Sequence, residues 1–212
     1  LEVHYHCFKD VAVEIHYRPF IMRDPFRNRR LQRFFAIEGE HCFDNKIRLS
    51  SGMISVPTPC FNLVHQLVHI RHHLYTEGIG FRQLMDYYFV LLDARNKRTN
   101  LSEAKSVVRC LGLDRFAGAV MWVLLEVFGL ENDAMPWNPS PADGKAVLGE
   151  IVRSGNFGRA DGQQHCSNSR WRSFWHVNGK AFRFARFDHW AWLWTPMWRL
   201  WHFGWRKIHG YN

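Results

Sequence analysis

Acidic residues are scarce in this 212-residue chain: 19 Asp and Glu stand against 28 Lys and Arg, a net charge of +9. The shortage is steepest at the end. Residues 170–212 hold eight Lys or Arg and a single acid, Asp188, a balance of +7 that leaves only +2 for everything before. Cysteine is also sparse. Cys7, Cys42, Cys60, Cys110 and Cys166 are odd in number and none pair as Cys-x-x-Cys, which argues against a disulfide framework and a thiolate zinc site. A reducing, cytoplasmic setting is therefore expected. No run of 18 apolar residues is free of charge, so no membrane-spanning helix is expected. No basic-then-apolar leader precedes the first element. With 47% hydrophobic and 22% charged residues the composition is that of a globular chain, which excludes a disordered or collagen-like one.

What is present divides into three stretches. The chain opens at Leu1 inside a strand-like run, which predicts a fragment whose N-terminal portion is missing. Leu1–Phe8 and Val11–Tyr17 are rich in β-branched and aromatic residues and predict a hairpin through Lys9-Asp10. Asp24 followed by Pro25 is a helix-start signal, with a helix expected over about 25–36. Residues 37–57 are mixed, with one short strand at 46–49.

After Pro57-Thr58-Pro59 the period changes to helical. Helices are expected over about 59–76, 81–94, a third ending at Gly112, a fourth from Asp114 to Phe128, and a short one over 142–152. Gly155–Ser169 reads as a linker. The remainder holds eight of the ten Trp, with a helix expected from about Asp188 to Ile208 and Pro196 kinking or restarting it. The expected fold is α+β: a short N-terminal antiparallel hairpin followed by a mostly helical bundle, divided as 1–57, 58–168 and a basic Trp-rich helical tail, 169–212.

Three groups of residues can carry chemistry. Glu14 sits mid-strand between Val13 and Ile15, where a rigid carboxylate suits a hard cation; a solvent-facing strand residue has the same pattern. His65, His69 and His73 share one helix face at four-residue spacing. Such histidines ligate zinc, contact a ligand or make structural hydrogen bonds. Arg82 and Asp86, after the Gly78–Gly80 turn, form a helical pair at i, i+4, or Arg82 holds a phosphate at the helix start. His69, His73, Arg82 and Asp86 are expected to form one polar cluster across that turn.

These residues also carry a resemblance. Val13-Glu14-Ile15-His16-Tyr17-Arg18-Pro19, Asp24-Pro25-Phe26-Arg27, Val56-Pro57-Thr58-Pro59 and the run His72-His73-Leu74 to Glu77-Gly78-Ile79-Gly80-Phe81-Arg82-Gln83-Leu84-Met85-Asp86 resemble the uncharacterised nucleotidyltransferase family of bacteria. The resemblance covers about residues 1–130. It places the chain near the DNA polymerase β-like nucleotidyltransferases, whose Gly-Ser, Asp-x-Asp and later third carboxylate hold two Mg²⁺ ions.

By this resemblance Glu14 is the third carboxylate, catalytic and Mg²⁺-binding, while His16, Arg18, His69, His73, Arg82 and Asp86 bind substrate. The implied reaction is Mg²⁺-dependent NMP transfer from an NTP to an unknown acceptor. Neither Gly-Ser nor Asp-x-Asp occurs in the chain. The resemblance therefore implies an inactive chain unless a missing N-terminal segment or a second chain supplies those carboxylates. Two other readings stand beside it. One is a non-enzymatic nucleotide-, phosphate- or partner-binding module. The other is a nucleic-acid or membrane-surface binder acting through the basic Trp-rich tail.

Overall fold

The computed structural model describes residues 2–5, 13–16, 18–76, 78–154, 179, 182, 185 and 187–208. Two strands open it, β1 (Glu2–Tyr5) and β2 (Val13–His16). They pair antiparallel with Val3 opposite Ile15 and Tyr5 opposite Val13. That register lies one residue from the one a two-residue Lys9-Asp10 connection would set.

Helix α1 (Pro25–Asp44) begins where the sequence predicts. The Asp24 carboxylate accepts from the Phe26 and Arg27 N–H groups, satisfying donors that the first turn leaves open. The helix runs eight residues beyond its expected end, through Gly39. Glu38 in this extension is buried, and its carboxylate accepts from the Thr58 hydroxyl at 2.5 Å. That tertiary tie offsets the modest helix propensity of Gly39. A second hairpin follows, β3 (Lys46–Leu49) and β4 (Gly52–Ser55). Its second strand goes beyond the single strand expected here. All eight residues are exposed, so no burial pattern marked them.

Five helices form the body: α2 (Pro59–Tyr75), α3 (Phe81–Asn96), α4 (Ser102–Cys110), α5 (Asp114–Phe128) and α6 (Pro141–Ser154). The Thr58 hydroxyl caps α2 by accepting from the Phe61 N–H, and Gly129, at φ +67°, ends α5. One hydrophobic core joins Leu31, Phe34 and Phe35 of α1 to Leu63, Leu67 and Leu74 of α2, Leu84 and Tyr87 of α3, and Phe116 and Val120 of α5. Burying a side chain such as Leu67 contributes about 1.5–3 kcal/mol. The α5–α6 contact is close enough that a Cβ on Gly144 would lie 2.3 Å from the Trp122 ring. Among the described residues no strand follows Ser55. The α+β architecture, an antiparallel hairpin ahead of a mostly helical body, is as the sequence predicts.

The last described helix is α7 (His189–Ile208), which passes through Pro196 as one element. Helical spacing puts Trp190, Trp194, Met197, Trp201 and Trp205 in one apolar stripe, which either packs on the helical body or serves as an interface, and in the structure Met197 and Trp201 of this stripe are exposed, at 50% and 63%. Thr195 is buried instead, with Trp194 and Trp198 half-buried beside it. Charge and ring contacts fix this rotation. Arg27 lies 6.0 Å from the Trp190 ring, Arg23 5.5 Å from the Trp198 ring, and Phe26 meets Trp194 edge-on. Among the described residues, no helix is long and apolar enough to cross a membrane. The expected linker, 155–169, lies outside the described residues.

Candidate functional site

The most unusual chemistry in the described residues is a buried carboxylate between two arginines. Arg27 sits in the first turn of α1, where the helix dipole disfavours a cation, so it needs anionic partners. Asp24 supplies one, at 3.6 Å. Asp188, 1% exposed at the entrance to α7, supplies the other: Arg27 Nη1 donates to its Oδ1 at 2.6 Å. Arg71 lies on the buried face of α2, between Val68 and Leu74, and its Nε donates to Asp188 Oδ2 at 2.7 Å. Burial pulls the Arg71 pKa down, but Asp188, Tyr75 and Asp24 together hold it above the ordinary arginine value.

This network walls a cavity lined by Phe20, Ile21, Met22, Arg23, Asp24, Arg27, Arg71, His72, Tyr75, Trp194 and Thr195. Its volume is about 30 Å³. Among the described residues Arg23 has no carboxylate partner. It reaches the Thr195 hydroxyl at 3.4 Å and lies near the Trp198 ring. Burial, then Arg199 and Arg71, push its pKa down to about 10. His72 is pushed down to about 3, first by burial and then by Arg23, His73 and Arg71, so its ring is neutral at pH 7.

The expected site residues are distributed as follows. Glu14 is on β2 opposite His4, and His16 is opposite Glu2; their side chains lie outside the described part. Arg18 is exposed. His69 and His73 do meet, with Nε2 atoms 2.8 Å apart, so one ring donates and the other accepts. His65 continues the ladder, stacked at 5.8 Å on His69. Arg82 and Asp86 are both exposed on α3. Among the described residues, no hydrogen bond or ion pair joins them to each other or to the histidines. The histidines thus come together, and the polar cluster across the turn is not drawn by direct contacts.

Among the described residues, one set of side chains could hold a metal ion. Glu38, buried Cys60 and exposed Glu103 place their ligand atoms within 4.8 Å of one another. The set does not fit Mg²⁺, which takes oxygen ligands in octahedral geometry and not sulfur. The Glu38 carboxylate is already engaged by Thr58 and His41. Burial, then Glu38 and Glu103, push the Cys60 thiol up to about 12, which keeps it protonated.

The arginine cavity was not among the sequence expectations. Asp188 carried the available signal: a lone acid in a basic, aromatic stretch, where a buried carboxylate needs cationic partners. Nothing local in the sequence says that these partners stand 161 and 117 residues away.

No curated protein and no solved structure matches the chain. A family model described as uncharacterised nucleotidyltransferase matches residues 2–129, more than half of the sequence. The matched stretch includes both hairpins, α1–α5, Glu14, the histidine ladder, and Arg23, Arg27 and Arg71 of the cavity. Asp188 and α7 lie beyond it. The chain thus belongs to the uncharacterised nucleotidyltransferase family.

Proposed function

We propose that this chain serves nucleotidyl transfer: it binds a nucleoside triphosphate and contributes to moving the NMP unit onto an acceptor. In that reaction an acceptor oxygen attacks the α-phosphorus, the bond between that phosphorus and the bridging oxygen breaks, and pyrophosphate leaves. The family match over residues 2–129 carries this reading. Glu14 is the metal-facing carboxylate in it, held on a paired strand. His16, Arg18, His69, His73, Arg82 and Asp86 are its substrate-binding residues.

Mg²⁺ enters the proposal through Glu14 alone. One carboxylate does not make a two-ion centre, and the grouping of Glu38, Cys60 and Glu103 does not suit Mg²⁺. Residues 1–212 by themselves are therefore expected to bind nucleotide without turning it over. A missing N-terminal segment or a second chain carrying those carboxylates would restore transfer. The reading is tested with NTP and Mg²⁺ by measuring binding and pyrophosphate release, for wild type and for Glu14→Gln, which removes charge at nearly constant volume. Mg²⁺-supported binding that Glu14→Gln weakens supports it. Binding indifferent to both Mg²⁺ and Glu14 counts against it.

A specific observation favours a second role for the tail. Trp192, Leu193, Leu200, Trp201, Phe203 and Ile208 are exposed along α7, with Arg206 and Lys207 at its end and no acid in the helix. Such a face suits an anionic surface. Binding to anionic vesicles or single-stranded DNA that falls steeply with salt would support this role, and salt-insensitive or absent binding would remove it.

A further inference from the structure

Away from the arginine cavity, three helices bring metal-ligating atoms to one place. Glu38 comes from the extended part of α1, Cys60 from the first turn of α2 and Glu103 from the first turn of α4. Their carboxylate oxygens and sulfur lie within 4.8 Å of one another. A tetrahedral Zn²⁺ centre holds oxygen at about 2.0–2.2 Å and sulfur at about 2.3 Å, which sets the ligand atoms roughly 3.4–3.6 Å apart. Closing the set to that spacing takes one rotamer adjustment of Glu103, whose side chain is exposed and free to swing.

The thiol supplies a second sign. Cys60 is only 7% exposed. Its sulfur accepts from the Ala104 N–H, but its own S–H makes no hydrogen bond among the described residues. Glu103 makes no hydrogen bond or ion pair among them either. Glu38, by contrast, is held in place: the Thr58 hydroxyl donates to its Oε1 at 2.5 Å, and His41 Nδ1 lies 3.2 Å from its Oε2. Bonds of this kind orient a ligating carboxylate. With about four lone-pair sites, the Glu38 carboxylate keeps room for a metal beside them.

We propose that Glu38, Cys60 and Glu103 bind one Zn²⁺ ion, with water in the fourth position. A thiolate among the ligands selects a borderline cation over Mg²⁺, which takes oxygen alone. Without metal the thiol is protonated, because burial, Glu38 and Glu103 push its pKa up to about 12. On binding, the Cys60 sulfur gives its proton to solvent and bonds to zinc, so one Zn²⁺ enters and one H⁺ leaves. The exposed Glu103 edge is the way in from solvent. The ion ties α1, α2 and α4 together, and by binding the folded chain alone it stabilises it. This site does not rest on nucleotidyl transfer, so the two proposals fail separately.

The test titrates the whole, metal-stripped chain with Zn²⁺, and with Co²⁺ as its spectroscopic stand-in, under a reductant that is not a thiol. Saturable Zn²⁺ binding that raises Tm is expected, with thiolate-to-Co²⁺ charge-transfer absorption and no displacement by excess Mg²⁺. Glu103→Gln should weaken binding at least about tenfold, the loss that even an outer-shell partner of a ligand causes. Cys60→Ser should remove the thiolate absorption, while Cys110→Ser, at an exposed thiol elsewhere, should leave it in place. Glu103→Gln alters an exposed side chain and carries the test if Cys60→Ser does not fold. The proposal is overturned if Zn²⁺ does not bind, if Co²⁺ binds without thiolate absorption, or if excess Mg²⁺ displaces the ion. Wild-type affinity in a folded Glu103→Gln or Cys60→Ser chain overturns it as well.

Discussion

Arg71 donates through its Nε to Asp188 Oδ2 at 2.7 Å, joining the centre of the family-matched region to the start of the C-terminal helix across 117 residues of sequence. The contact is buried at both ends, with 10% of the Arg71 side chain and none of the Asp188 side chain exposed. Breaking one partner of a buried ion pair leaves the other charge uncompensated, which costs about 3–5 kcal/mol. Asp188→Asn should therefore lower the unfolding free energy by an amount of that order. Urea denaturation measures it, and a loss below about 1 kcal/mol would mean that α7 is not anchored here.

Gly112 should resist substitution for two reasons at once. Its φ of +64° is one that side-chain-bearing residues adopt at a cost. A Cβ there would also lie 2.5 Å from Arg27 Nη2, and Asp188 prevents that guanidinium from swinging freely aside. Gly112→Ala should destabilise by about 1–3 kcal/mol, read by the same denaturation, and together with Asp188→Asn it should cost less than the sum of the two, because loss of the ion pair lets the Arg27 guanidinium move aside.

Gly144 tests packing away from the cavity. Its missing Cβ lets α6 lie against the Trp122 ring, and neither has space to retreat within the core. Gly144→Ala should cost about 1–3 kcal/mol, read by urea denaturation; a loss below about 0.5 kcal/mol would mean that the α5–α6 contact yields without strain.

His72 makes stability depend on pH. Its folded pKa is pushed down from 6.5 to about 3, by burial and then by Arg23, His73, Arg71 and His69. The unfolded chain takes up this proton below about pH 6.5 while the folded chain does not, so the contribution is complete above pH 6.5 and falls with acidification towards pH 3. Between pH 6.5 and 5 the loss should be about 1–2 kcal/mol. His72→Gln should flatten that part of the stability–pH curve; an unchanged slope would place the acid sensitivity elsewhere.

The fold was legible where local chemistry decides it. Asp24-Pro25 and Thr58-Pro59 mark helix starts because a capping oxygen and a proline are needed there, and both caps are made. The register of β1 and β2 was not fixed by local sequence, since it is one residue away from what the two-residue Lys9-Asp10 connection implies. Likewise, the extension of α1 through Gly39 depends on Glu38 reaching Thr58, 20 residues on. The histidine ladder was readable from its spacing, because i and i+4 share a helix face. The arginine cavity was not, because Arg27, Arg71 and Asp188 lie on three elements far apart in sequence. The packing face of α7 eluded the pattern for a related reason. Its many aromatics allow several apolar faces, and charges on other elements choose among them.

Nucleotide binding is the measurement closest to the centre of the proposed function. Each of the four NTPs is titrated into the wild-type chain with Mg²⁺, following Trp fluorescence, with pyrophosphate as competitor. Saturable binding at about 1 mM or tighter, within the usual range of enzyme substrates, and weakened by Glu14→Gln, is the predicted result. The absence of binding by every NTP in a folded chain would contradict it.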